Sequence, residues 1–346
     1  MNMDILQKEI YTLNEDEEFY KKYYYAKQQE YSLQQFLATV DMDIVYKHHL
    51  LIPEIANTIP PRFEDSFFFE DDSRIMMMRH NRYSPALIHD HSFFELIYVY
   101  DGNCKQTISG HDLSLTRGDI CIIPPGIKHS IGVFDNSIVL NCLIKKSTLH
   151  NIFFNFLSTP NTLSAFFLNN IYSENGNDYI IFHTGIDQEF QRQFLYMYLE
   201  SINKELYWNQ LIANTLMHVF GILIRNYNKC IEVPIFTQKT DVQRFALLQY
   251  IQKNYSNISL EMVAERFHYT PEYTSRLIKR TTGTNFTYLL QQIRLEKAQI
   301  LLQDTNLSIA DISCQVGYES PEHFIRLFKK QTGCTPSEYR KRNIII

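Results

Sequence analysis

Along this chain the spacing of apolar residues changes character twice. To about Asn57 the pattern is helical and polar, with Tyr-rich patches such as Tyr23-Tyr24-Tyr25. From about Phe63 to Ile144 it becomes a series of short β-branched and aromatic runs closed by turn residues. Phe94–Tyr100 is closed by Asp101-Gly102, Thr107–Ser109 by Gly110, and Ile120–Ile123 by Pro124-Pro125-Gly126. Short strands at this spacing predict a small β-barrel or sandwich. After Asp187 a helical period returns through Phe190, Phe194, Met197, Leu199, Ile202 and Leu206, then Leu211, Leu216, Val219, Phe220 and Leu223. Periodicity is lost over Asn228–Asp241, which contains Pro234 and reads as a linker. The pattern predicts an α+β chain of two domains. A helical extension spans 1–60, a barrel with flanking helices 61–230, a linker 231–240 and an all-α domain 241–346.

Residues 241–346 contain an internal repeat. Ser259-Leu260-Glu261-Met262-Val263-Ala264 parallels Ser308-Ile309-Ala310-Asp311-Ile312-Ser313, offset by 49 residues. Pro271-Glu272-Tyr273-Thr274-Ser275-Arg276 parallels Pro321-Glu322-His323-Phe324-Ile325-Arg326, offset by 50, and the extra residue falls in the turn that holds Gly317. Each copy reads as helix, tight turn, helix. Ser259 and Ser308 suit N-caps, Thr270-Pro271 and Ser320-Pro321 place a capping hydroxyl before proline at the first helical position, and Gly283 and Gly333 suit helix stops. Ala264 and Ser313 are small where two helices of a helix-turn-helix cross. The helix predicted over Phe286–Asp304 is about 28 Å long at ~1.5 Å per residue, a length suited to separating two recognition helices by about one DNA turn.

The second helix of each copy gathers the residues expected to carry the readout on one face. These are Glu272, Ser275, Arg276 and Lys279 in the first, and Glu322, Ile325, Arg326 and Lys329 in the second. Arginine is the best bidentate partner of guanine edges and lysine suits phosphate, so these eight are the predicted DNA contacts. Charge agrees in its distribution, not in its sum. The chain carries a net −5, yet from Asp241 onward 14 Lys and Arg face 10 Asp and Glu, leaving the remainder at −9. A basic tail on an acidic body is expected when only one domain meets phosphates.

The composition is otherwise that of an ordinary globular protein. Six scattered cysteines with no CxxC pair argue against a disulfide framework or a zinc knuckle. The N-terminus is polar and acidic, unlike a signal peptide, and no apolar run approaches the ~18 residues of a membrane span. A cytoplasmic protein is expected.

With these residues in place, the C-terminal domain resembles the AraC/XylS family of bacterial transcription regulators. The resemblance is carried by Ser308-Ile309, Ile312, Gly317-Tyr318, Phe324, Phe328-Lys329, Thr332-Gly333 and Thr335-Pro336-Ser337-Glu338-Tyr339-Arg340. It implies one recognition helix in each of two successive major grooves on one face of double-stranded DNA. Thr274 and Ile278 stand where the family more usually has Leu and Phe, and His268 where the first turn often has Gly.

The barrel segment resembles a cupin. His89-Asp90-His91 followed by Glu95 and Gly102 matches the first cupin motif, and Gly118, Pro124, Gly126 and His129 match the second, with Val133 in place of its closing Asn. His89, His91, Glu95 and His129 would form a set of three imidazoles and one carboxylate, suited to Fe, Mn, Ni or Zn. In AraC-like regulators such a barrel resembles a pocket for a sugar or another small effector. The expected lining is therefore His89, His91, Phe94, Glu95, Tyr98 and His129, with no catalytic residue and no resident cofactor or metal. The alternative is a metal-dependent cupin enzyme fused to a DNA-binding domain, with the same three histidines and Glu95 as ligands. The helices of 187–227 resemble the segment that dimerises such regulators, although their apolar stripes could equally pack only on the barrel. DNA, a small effector, a second copy of the chain and RNA polymerase are the expected partners.

Overall fold

Nine strands form among the described residues, the central ones on largely apolar runs and the outer ones with fewer buried positions. They are β1 (Ile75–Arg79), β2 (Phe94–Asp101), β3 (Asn103–Ile108), β4 (His111–Thr116), β5 (Asp119–Ile123), β6 (His129–Gly132), β7 (Ile138–Ile144), β8 (Ile180–His183) and β9 (Ile231–Glu232). All pair antiparallel, in a six-stranded sheet of order β1-β7-β2-β5-β8-β9 and a three-stranded sheet of order β4-β3-β6. The turn after β2 depends on Gly102, whose φ of +77° and contact with Ser137 leave no room for a Cβ.

The computed structural model describes residues 3–55, 58–60, 62–69, 73–149, 162–172, 179–232 and 239–343. The chain divides into two units, one of 1–146 with 177–234 and the other of 147–176 with 235–346. The boundaries drawn from sequence cut the chain differently. The predicted extension 1–60 groups with the barrel, while 147–176, predicted inside the barrel segment, groups with the helix-turn-helix domain. Most of the predicted linker lies outside the described residues; its first two residues form β9 and Lys239 begins a helix.

In the first unit, apolar side chains from both sheets share one core. Ile97, Val99, Cys121, Val139 and Ile181 come from the larger sheet, and Cys104, Ile108, Leu115 and Ile131 from the smaller. β2 is buried along nearly its whole length because its other face is covered as well. The helix Gln188–Asn203 lies there, its Phe194 ring stacked on Tyr98 at 4.1 Å between centroids. The apolar stripe through Phe190, Phe194 and Met197 is thus spent on the barrel. The following helix, Trp208–Tyr227, buries Ile212, Leu216, Val219, Phe220 and Leu223.

The N-terminal helices are fastened by charge. Asn14 caps the helix Glu15–Lys27 in a capping box with Glu17. Glu17 is fully enclosed, and accepts Arg79 at 2.6 Å and Arg82 at 2.9 Å. The two guanidiniums also donate to the carbonyls of Ile10, Tyr11 and Thr12, which help to offset the charge that the single Glu17 carboxylate does not balance, while Arg79 Nε stays buried without a partner.

In the second unit the local signals are realised residue by residue. Ser259, Thr270, Ser308 and Ser320 each accept a backbone N–H at the start of a helix, and Gly283 and Gly333 close the helices Pro271–Thr282 and Pro321–Thr332 at φ of +74° and +78°. Between the copies runs the connecting helix Phe286–Asp304, capped by Asn285. Its Arg294 donates to the carbonyls of Tyr255 and Ser256, beneath the turn held by Gly317. A helix outside the repeat, Thr162–Tyr172, packs on the helices Lys239–Lys253 and Pro271–Thr282 and buries Leu163, Phe166, Phe167 and Ile171. Among the described residues no helix is long and apolar enough to cross a membrane.

Candidate nucleic-acid interface and barrel site

The two recognition helices present the same surface. From Pro271 to Arg280 and from Pro321 to Lys330 the sequence of exposed, half-buried and buried residues is identical at all ten positions. Thr274 and Ile278 in the first, and Phe324 and Phe328 in the second, face the interior. Arg276 and Lys279, and correspondingly Arg326 and Lys329, are exposed. A 3.6-residue period with inward residues four apart produces this division.

Three of the eight predicted contacts carry a local duty as well. Glu322 accepts the Ser320 hydroxyl at 2.8 Å, and Glu272 is likewise engaged with Thr270. These interactions at the helix start, with the Ser320 hydroxyl foremost for Glu322 and backbone hydrogen bonding foremost for Glu272, hold both carboxyls below the usual glutamate range. Ile325 is half-buried against the core of the second copy and so contributes packing. The exposed pairs Arg280 with Lys330 and Tyr273 with His323 were missed by sequence reasoning, although they keep the same 50-residue offset.

In the barrel, three histidines and Glu95 converge, although not as one continuous strand. β2 begins only at Phe94, and His89 and His91 precede it on an irregular stretch bridged separately to His129 and Phe63. Each imidazole is held by its Nδ1. His89 bonds the carbonyl of Leu87 at 2.9 Å, His91 that of Phe93 at 2.7 Å, and His129 that of Ile127 at 3.0 Å. A carbonyl only accepts, so every Nδ1 carries a hydrogen. His129 Nε2 lies 2.9 Å from Glu95 Oε2, a hydrogen bond that requires a proton on both nitrogens of that imidazole, while His91 Nε2 stands 3.5 Å from the same oxygen without a hydrogen-bond partner. Asn141 Nδ2 donates to Glu95 Oε1 at 2.8 Å. Ligand atoms of His89, Glu95 and His129 all lie within 4.8 Å of one another.

The electrostatics follow from this enclosure. Burial alone would raise Glu95, but the hydrogen bond with His129 and the close imidazole of His91 together outweigh it and hold the carboxyl well below the usual range. Burial opposes charge on His129, yet Glu95 raises it. Burial dominates at His91, which is lowered, and at His89, which falls to about 4.

Two expected lining residues are elsewhere. Phe94 and Tyr98 occupy the opposite face of β2 from Glu95, because successive side chains of a strand alternate; Tyr98 stacks on the helix outside the sheet. In their place sequence reasoning missed Asn141 and Gln106. Asn141 reaches Glu95 from β7 across the strand pairing. Gln106 is on β3 between the inward-facing Cys104 and Ile108, buried with neither amide atom partnered. Only the strand register identifies either one.

The AraC-like ligand binding domain family matches residues 79–143, and a helix-turn-helix domain family matches residues 263–342. The chain is 24% identical to the HTH-type transcriptional activator RhaR of Mannheimia succiniciproducens, over 81% of this chain and 96% of the relative. It is 23% identical to the HTH-type transcriptional activator RhaS of Escherichia fergusonii, over 73% of this chain and 87% of the relative. Among solved structures, the C-terminal domain of AraT, a response regulator from Geobacillus stearothermophilus, is 40% identical over 32% of this chain and 92% of that one, with a TM-score of 0.30.

Proposed function

The chain belongs to the AraC/XylS family of DNA-binding transcription regulators controlled by an effector, and on that premise we propose where each half of the activity resides. Arg276, Lys279, Arg326 and Lys329 meet DNA, with the arginines reading base edges and the lysines positioning on phosphates. The observation that carries this assignment is the position-by-position match of the two recognition helices, which leaves one basic face of each free. Ser275 is half-buried on the same face, and Glu272 and Glu322 sharpen the choice of bases by excluding phosphates from the helix starts.

The effector is received by the buried polar cluster of the barrel, among His89, His91, Glu95, His129, Gln106 and Asn141. Buried polar atoms without partners are costly unless something completes them; here the side-chain amide of Gln106, Asn141 Oδ1 and His91 Nε2 all await a partner. The barrel thus acts as a receptor and not as a catalyst. Two copies of the chain associate through the turn between the helices of 188–227, where Ile202, Leu206, Tyr207 and Leu211 are exposed while the rest of the apolar stripe is covered. RNA polymerase is the partner of the DNA-bound form.

Mapping the DNA bound in cells supplies an operator. Gel shifts on it should show binding lost in the Arg276→Ala, Arg326→Ala double variant, and a metabolite that raises the melting temperature should change the affinity of the full chain. Unchanged DNA binding in the double variant overturns the first assignment. A stabilising metabolite equally effective in Gln106→Ala and Glu95→Gln overturns the second.

A further inference from the structure

The two helix-turn-helix copies are joined by more than the helix that connects them. Arg294, near the middle of the connecting helix Phe286–Asp304, donates Nε to the carbonyl of Tyr255 and Nη2 to that of Ser256, both at 2.9 Å. Those carbonyls belong to the segment that leads into the first copy, just before its cap Ser259. The same guanidinium lies over the ring of Tyr318, 5.4 Å from its centroid, beside Gly317 in the turn of the second copy. That distance is within the ~6 Å reach of a cation–π contact. One side chain therefore touches both copies from the helix between them.

Packing around this junction is close. A Cβ on Gly317 would strike the carbonyl of Ser256, so the turn of the second copy rests directly on the lead-in of the first. Tyr255 packs against the core of the second copy, with Leu295, Ile312, Val316, Phe324 and Phe328. Arginine suits such a place. Its planar fork makes two hydrogen bonds in a fixed geometry while its face stacks on a ring, whereas lysine offers a compact charge on a flexible stem. Hydrogen bonds from a charged donor are about twice as strong as neutral ones, and Arg294 is half-buried, which limits competition from water.

We propose that Arg294 is a positioning residue that decides which operators the protein accepts, by fixing the distance and angle between the recognition helices Pro271–Thr282 and Pro321–Thr332. This rests on the reading above that both helices meet DNA. Successive major grooves on one face of a duplex are about one turn, roughly 34 Å, apart. One added base pair therefore moves the second box by about 3.4 Å and turns it by about 35°. Two helices locked at the junction cannot follow that change, and two helices freed there can. Selectivity for the spacing of the boxes is thus carried by a side chain engaged within the protein.

The test uses the full-length protein and a DNA fragment selected from a random pool, its two boxes located by footprinting. Derivatives carry one base pair added or removed between the boxes. The gel-shift affinity for the selected fragment, divided by that for each derivative, gives a spacing penalty. In the unaltered protein the penalty should be at least about tenfold, the scale of losing contacts to one or two base pairs. Arg294→Ala should bind the selected fragment more weakly and show a penalty at least about threefold smaller. Arg294→Lys, which keeps the charge but not the fork, should fall between. A merely structural loss would lower affinity for every fragment by one factor and leave the ratio where it was.

Equal penalties in the unaltered protein and in Arg294→Ala overturn the positioning role and leave the DNA contacts standing. If circular dichroism shows that Arg294→Ala does not fold, Arg294→Lys takes its place, and equal penalties there overturn the role in the same way. No penalty in the unaltered protein, while Arg276→Ala and Arg326→Ala each bind more weakly, overturns the role alone, because both helices then engage without a fixed spacing. No penalty, with Arg276→Ala binding as tightly as the unaltered chain, removes the first helix from the DNA and overturns both the role and the reading beneath it.

Discussion

Glu17 and Arg82 meet in full burial, the carboxylate of a helix that precedes the barrel accepting Nε of the arginine at 2.9 Å and Nη2 at 3.0 Å. Removing one partner of such a pair strands the other, at about 3–5 kcal/mol, so Glu17→Ala should lower the unfolding free energy by that order in urea melts. Burial pushes the Glu17 carboxyl up, but Arg82, the Asn14 amide and Arg79 outweigh it and the net direction is down. A carboxyl lowered on folding stabilises fully above its unfolded value, about 4.3, and that contribution fades as pH falls through the folded value. Melting temperature measured from pH 7 to pH 3 should therefore fall more steeply in the unaltered protein than in Glu17→Gln. Parallel curves would exclude this pair as a source of acid sensitivity.

Arg326→Ala should weaken binding to a mapped operator by ~1–3 kcal/mol and relax selectivity at one base pair. Lys329→Ala should instead weaken all sequences alike and reduce the salt slope by about one. Competition gel shifts at several salt concentrations distinguish the two. Equal loss of base selectivity in both variants would show that the helix is not docked as its exposed face suggests.

The two turns invite opposite substitutions. Gly317 has a φ of +92° and its missing Cβ would strike the backbone of Ser256, so Gly317→Ala should destabilise by at least ~2 kcal/mol from strain and displacement together. His268 holds the matching turn of the first copy at a φ of +57°. A left-handed conformation costs an ordinary residue ~1–2 kcal/mol, and glycine's extra unfolded-state freedom returns ~0.5–1 kcal/mol of that. His268→Gly should accordingly stabilise by about 0.5 kcal/mol in thermal or urea melts, where a loss of stability would show that its imidazole has a structural task.

Phe166 and Phe167 are buried in the helix Thr162–Tyr172, which packs on the first recognition helix. Phe166→Ala should cost about 3–5 kcal/mol. Hydrogen exchange should quicken in residues 271–282 while residues 321–332, in the copy this helix does not brace, keep their protection. Equal quickening in both copies would make the helix a general support.

The sequence alone determined the paired helix-turn-helix almost completely, because every signal that specifies it acts within about ten residues. Ser259, Thr270, Ser308 and Ser320 cap helices that begin where they stand, and Gly283 and Gly333 end them there. The repeat supplied the check, since one surface helix with an Arg and a Lys is ordinary but two in matching register are not. His89, His91, Glu95 and His129 were legible as a group for the same reason, being spaced in recognisable motifs.

Tertiary structure decided what depends on pairing between distant segments. Strand alternation turned Phe94 and Tyr98 away from Glu95, and the register of β2 with β7 brought Asn141 to it, from a position 46 residues on. The orientation of each imidazole rests on a backbone carbonyl whose place is set by the fold. Likewise, nothing local to Glu17 announces Arg79 and Arg82, and nothing in the apolar run of 162–172 reveals that it serves the helical unit and not the barrel between whose strands it is encoded. Local hydrogen bonds and steric preferences are written in adjacent residues; a buried contact is written only in the closed chain.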